Sequence, residues 1–131
     1  MSYTHKNLRD AEDLAAKHGF GDAQEARFPM GDLDAEATGL GLITVKPGKR
    51  QPFAHRHNQA EEIYVVLSGS GKLKIDDEVI DVTEMDAIRF DPESGRALEA
   101  GPDGIEVLAF GPRHDDDAEI IKEDFWGDSD G

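Results

Sequence analysis

The chain has 131 residues, 29 acidic against 14 basic, and a formal charge of −15. This length suits one domain, residues 1–131, with a sizeable core, and the charge repels phosphate backbones, which argues against nucleic acid as a partner. There is no cysteine, so disulfides and thiolate ligands are excluded. Residues 1–7 are polar and lack the apolar stretch of a secretory signal. The longest apolar run, Ile63-Tyr64-Val65-Val66-Leu67, is too short to span a bilayer. A soluble, cytoplasmic protein with no membrane contact is the expectation.

Residues 7–19 read as a helical arm. Leu8, Ala11, Leu14, Ala15 and His18 fall near one stripe, with Asn7 as N-cap and Gly19 as the residue after the helix. From Glu25 onward, short runs rich in β-branched and aromatic residues alternate with Gly, Pro and Asp. They predict strands over 25–28, 39–46, 53–57, 62–68, 71–75, 78–82, 87–90, 96–100 and 105–110. Asp76-Asp77 fits a tight hairpin turn, and Pro102-Asp103-Gly104 a second turn. Many short strands with frequent turns indicate an all-β sandwich or barrel, here over about 25–111. The run from Ile63 to Leu67 is apolar at every position, whereas a strand with one wet face alternates. Both its faces are therefore expected to be covered, one of them by a second subunit in a homodimer. After Gly111 the tail 112–131 is acidic, with Asp115-Asp116-Asp117, Glu123-Asp124 and residues 128–130 read as solvated. Ile120-Ile121 and Phe125-Trp126 are expected to fold back on the barrel as anchors.

The stretch His55-Arg56-His57-Asn58-Gln59-Ala60-Glu61-Glu62 carries the chemistry. Two histidines one residue apart point the same way on a strand. Glu62 opens the next apolar run and can return beside them. Two imidazoles and a carboxylate suit a borderline divalent metal, zinc, iron, manganese or nickel. Tyr64 shares the parity of Glu62 and is read as a core tyrosine bonded to a backbone carbonyl, or as a polar tip in a pocket. Phe53 shares the parity of the histidines, as does Gln51, a candidate outer ligand. His5 is read at a frayed end and His18 at a helix C-terminus, where an imidazole suits the dipole. His114, before an acidic run, is read as a surface residue, or as a replacement ligand that swings into the barrel mouth.

These residues resemble the first motif of the small single-domain cupins, which runs Gly, five residues, His-x-His, three or four residues, Glu, six residues, Gly. Here Gly48 is followed by six residues, then His55-x-His57, four residues, Glu62, six residues and Gly69. The resemblance covers roughly residues 39–111 and implies a jelly-roll β-barrel with a site inside. The family's second motif is degenerate. Aligning Asp91 with its proline puts Arg96 at its histidine, aligning Pro92 puts Ala97 there, and neither supplies the fourth ligand. Two readings follow for the site. In one, His55, His57 and Glu62 hold a metal and Arg96 points at a bound anion. In the other, Arg96 pairs with Glu62 in the space of the ion. A third places the histidines on an exposed strand.

Ser68 and Ser70 have no His or Asp at the spacing of a nucleophile elbow, and no Gly-rich loop opens a helix to cradle phosphate. Three functional classes remain, because this fold hosts many activities. The favoured one is a small-molecule-binding barrel with a divalent metal site, in which Arg96, Tyr64 and Gln51 contact the ligand. The alternatives are a metal-dependent dioxygenase or isomerase acting on a small acidic or carbonyl compound, and an accessory protein whose barrel has lost its metal.

Overall fold

A computed structural model describes residues 2–121 and 124–127. The strands are β1 (Gln24–Arg27), β2 (Thr38–Val45), β3 (Ala54–His57), β4 (Glu62–Ile75), β5 (Glu78–Thr83), β6 (Ala87–Phe90), β7 (Arg96–Pro112) and β8 (Ala118–Ile121). They form one curled antiparallel sheet. The path β1-β2-β7-β3-β8 is joined by β4, which pairs with β5, β6 and β7. This is the all-β barrel expected from the strand pattern, in the jelly-roll form that the resemblance implied. Its interior is filled by Ile43, Val45, Val66, Leu73, Phe90, Leu98, Ile105 and Val107.

Two predicted strand pairs are each one long strand. Residues 62–68 and 71–75 join as β4, and 96–100 and 105–110 join as β7. Gly69 allows the first union. Its φ is +79°, and a Cβ there would stand 2.0 Å from the carbonyl oxygen of Gly104, so only glycine passes. Pro102-Asp103-Gly104 does not reverse the chain. Ala100 pairs with Gly71 and Ile105 with Gly69, so residues 101–104 bulge from β7 opposite Ser70 alone. The hairpin at Asp76-Asp77 is as expected, with Ile75 facing Glu78 and Asp76 at φ +52°.

The N-terminal arm is not one helix. It holds a 3₁₀ turn, Leu8–Asp10, and a single α-turn, α1 (Leu14–Lys17). Asp13 divides them. Its carboxylate accepts hydrogen bonds from the backbone of Ala15, Ala16 and Ala26, capping α1 and tying it to β1 at once. Asn7 caps the 3₁₀ turn through the Arg9 N–H, and Gly19 takes φ +88° after α1, both as the sequence indicated. A further short helix, α2 (Met30–Leu33), escaped the pattern. Within the arm, Arg9 forks onto Glu106 at 2.7 and 2.9 Å, which fixes this segment against β7.

Along β4, Tyr64 and Val66 point into the core, whereas Ile63 and Val65 are half-buried and Leu67 is exposed. The apolar run therefore covers one face within the chain and leaves the other partly open. In the tail, Ile120 and Ile121 lie on β8 and pair with β3. Phe125 lies near Gly95 and under the Lys74 ammonium, and Trp126 lies under the Arg50 guanidinium. These residues anchor the tail as expected. Of the acidic tail, Glu123 and residues 128–130 lie outside the described residues.

Candidate metal centre

His55 and His57 stand on β3, a strand held from both sides. β8 pairs with all four of its residues, and β7 meets it where His55 faces Arg96. The strand geometry turns both rings to the barrel interior, edge to face with centroids 5.3 Å apart. Glu62 begins β4 after a four-residue loop, and its carboxylate returns between the rings. His55 Nε2 lies 3.4 Å from Glu62 Oε1, and His57 Nε2 lies 3.5 Å from Oε2. Donor atoms of all three side chains fall within 4.8 Å of one another. Atoms bound to tetrahedral zinc at about 2.1 Å stand roughly 3.4 Å apart. The three residues therefore fit a divalent ion in both donor chemistry and spacing.

Arg96 settles the register of the second motif. It is fully enclosed, and its Nη2 donates to Glu62 Oε1 at 2.9 Å. Ala97 is directed elsewhere, opposite Lys74. The other guanidinium nitrogen, Nη1, donates to the carbonyls of Ser94 at 2.6 Å and Pro92 at 3.2 Å, and the group stacks on Phe90 at 4.7 Å. The alternatives read from the sequence are thus partly combined: one oxygen of Glu62 is shared with the guanidinium and the other faces His57. Arg96, expected to contact a ligand directly, is turned to Glu62 in this structure. Its guanidinium stands behind Glu62 and does not line the cavity.

Tyr64 is 1 % exposed and packs edge-on against Phe90 at 4.8 Å. Its hydroxyl and Arg96 Nε are both enclosed and have no hydrogen-bond partner among the described residues, so the expected bond to a backbone carbonyl is absent. Burial pushes the Tyr64 phenol up, and the Glu62 charge adds to this. Gln51 has its amide occupied: Oε1 accepts from the Leu98 N–H at 3.0 Å and Nε2 donates to Gln24 at 3.0 Å. It joins β1 to β7 across the wall and borders the cavity. Phe53 lines the cavity beside the histidines, edge-on to Phe20 at 5.4 Å. His5, His18 and His114 are exposed.

Charge follows this geometry. Burial lowers the His55 pKa more than Glu62 raises it, which leaves the neutral imidazole that binds metals. Burial pushes the Glu62 carboxyl up, but the bonds from His55, His57 and Arg96 outweigh it and hold the group well below the usual carboxylate range.

Asp117 is the residue that sequence reasoning misplaced. The acidic run predicts a solvated side chain, and Asp115 and Asp116 are indeed exposed. Asp117 is 4 % exposed. Its Oδ2 lies 3.2 Å from His57 Nδ1, and its two oxygens accept from the backbone N–H groups of Gln59 and Ala60 at 2.9 and 3.0 Å. One carboxylate thus directs His57 Nε2 toward Glu62 and pins the loop that sets the spacing between the two ligands. The Ile120-Ile121 pair was the available signal, since apolar residues just beyond an acidic run mean that the chain is returning to the sheet. Asp117→Ala is expected to lower zinc affinity about tenfold. It should also cost about 2 kcal/mol of stability through the two orphaned N–H groups. Zinc titration and urea denaturation read the two effects separately.

The trio forms one end of a cavity of about 530 Å³ whose other walls come from the N-terminal arm, β1, β2 and the end of β7. Among the described residues no helix is long and apolar enough to cross a membrane.

Comparison with known proteins agrees with this architecture. An uncharacterized protein of Methanocaldococcus jannaschii is 28% identical over 81 residues, which are 60% of this chain and 65% of that protein. A cupin protein of Bacteroides fragilis superposes with a TM-score of 0.70 at 24% identity, covering 88% of both chains. Oxalate decarboxylase of Bacillus subtilis gives a TM-score of 0.69 at 18% identity over 92% of this chain and 34% of that one. The polyketide cyclase RemF of Streptomyces resistomycificus gives 0.68 at 20% identity, covering 90% of this chain and 84% of its own. At these identities the structural likeness is one of fold. Residues 41–106, half of the chain and the stretch that holds His55, His57, Glu62 and Arg96, match the cupin domain, and the chain belongs to the cupin family.

Proposed function

We propose that this protein binds a small molecule at a divalent metal held by His55, His57 and Glu62. The convergence of three donor groups within 4.8 Å at one end of an interior cavity carries this reading. The ion supplies a Lewis acid when bound. Around it, Asp117 orients His57, Arg96 pairs with Glu62, and the barrel wall limits access by water. Side chains of the trio are 17–18% exposed, so part of the site faces the cavity. That open side favours a second reading, a metal-dependent enzyme acting on a carbonyl or acidic compound. The Arg96–Glu62 pair favours a third, an accessory cupin without metal.

Protein purified without a histidine tag is expected to take up close to one zinc ion per chain. At a free zinc concentration one hundred times Kd, the ion should add about 2.7 kcal/mol to stability. His55→Ala should abolish both effects. Uptake below about a tenth of an ion per chain, with no stabilisation, rejects the metal.

The half-open face of Ile63, Val65 and Leu67 supports a homodimer within the same proposal. Light scattering is expected to give the mass of two chains at micromolar concentration, and a monomer mass would refute the pairing.

A further inference from the structure

The cavity's walls differ in chemistry from the trio at its end. Phe20, Phe28, Leu40, Ile43, Phe53 and Phe110 all line it. Among the described residues and apart from histidines, its one cationic lining residue is Arg113, whose Nη1 donates to the Ala35 carbonyl at 2.6 Å while Nε lies 3.6 Å from Asp115. Arg96, the other cation near the site, is enclosed and turned toward Glu62 and two carbonyls. Two carboxylates, Glu61 and Glu62, line the same space. An anionic ligand would approach a protein of net charge −15 and meet, among the described residues, no uncommitted cationic side chain on these walls, so the ion alone, already offset in part by Glu62, would have to balance a second negative charge.

From these observations we infer that the ligand is an uncharged molecule with a ring-sized apolar body and a small metal-binding head, rather than a small dianionic acid. The inference rests on the metal site proposed above. The volume suits a compound of this size. A phenyl ring that removes roughly 100 Å² of apolar surface from water gains on the order of fiftyfold in affinity. An apolar wall rewards such a body, whereas a short polar acid leaves the phenylalanines wet. Phe28 is 45% exposed, so its ring stands at the opening, where an arriving body would meet it.

Three probes separate head from body. Benzohydroxamic and acetohydroxamic acid share a head that is neutral in solution and releases one proton to the medium as it chelates zinc; they differ in the ring, and oxalate is the small dianion. Zinc uptake is measured first, then each probe is titrated calorimetrically into the zinc-loaded full chain. Benzohydroxamic acid is expected to bind at least tenfold more tightly than acetohydroxamic acid, and more tightly than oxalate. Phe28→Ala should narrow the ratio of the two hydroxamic acids several-fold while zinc affinity is unchanged. If that variant also loses zinc, Leu40→Ala makes the same test. Equal affinities of the hydroxamic acids, tighter binding of oxalate, or no binding of either hydroxamic acid overturns this inference and leaves the metal site standing. A ratio untouched by the wall variants overturns the seating of the ring in this cavity. Failure to take up zinc sinks the metal site and this inference together.

Discussion

Arg96→Met is expected to destabilise the metal-free protein by about 3 kcal/mol, and Glu62→Gln added to it should restore most of that loss. Arg96 is fully enclosed and bonds Glu62 at 2.9 Å, so methionine leaves a carboxylate in a site that no longer compensates its charge. The double variant removes both charges and keeps similar volume, which is why it should recover. Urea denaturation of the four proteins gives the coupling as a double-mutant cycle. Coupling below about 0.5 kcal/mol would mean that the two groups do not depend on one another. Zinc should also stabilise Arg96→Met more than the natural protein, because both oxygens of Glu62 become available to it. Equal zinc stabilisation would mean that the guanidinium does not compete with the ion.

Arg96→His should raise zinc affinity by about a hundredfold. Arg96 is paired directly with His55 across β3 and β7, and side chains opposite one another on adjacent strands share a face. A histidine there starts on the same side as His55 and can complete a four-ligand set. The change also removes a unit positive charge from beside the site. At a separation of about 4 Å and an effective dielectric near 20, that charge opposes each unit charge on an ion by about 4 kcal/mol. A hundredfold gain is therefore a restrained expectation. Competition with a chelator of known affinity reads it, and affinity equal to or below that of the natural protein would show that position 96 lies outside the coordination sphere.

Much of the barrel was legible because its signals are local. Each of β1 to β6 falls within one or two residues of a predicted run, apart from the union of two runs in β4. Period-two alternation and turn residues are written in neighbouring positions. The unions through Gly69 and residues 101–104 were not legible, because a bulge and a turn use the same Gly, Pro and Asp. The arm failed as a helix for a related reason. Its apolar stripe suggested one element, but Asp13 finds a better partner in Ala26, 13 residues along the chain, than in the helix interior. The site divides in the same way. His55 and His57 were legible from one strand's parity, and Glu62 from its place at the head of the next.

The alternation that builds an all-β barrel and the donor types His55, His57 and Glu62 are written in neighbouring residues, and the missing fourth histidine shows against the motif of the family the chain resembles. Tertiary structure alone decided what Arg96 and Asp117 do. A charged residue in a run of charges looks the same whether it faces water or a ligand's second nitrogen. Burial and partner are properties of the strands that pack around it, β7 against β3 for Arg96 and β8 against β3 for Asp117. Desolvation makes an ionised group depend on such partners. Contacts 34 residues apart, between Glu62 and Arg96, and 60 apart, between His57 and Asp117, leave no mark in local pattern.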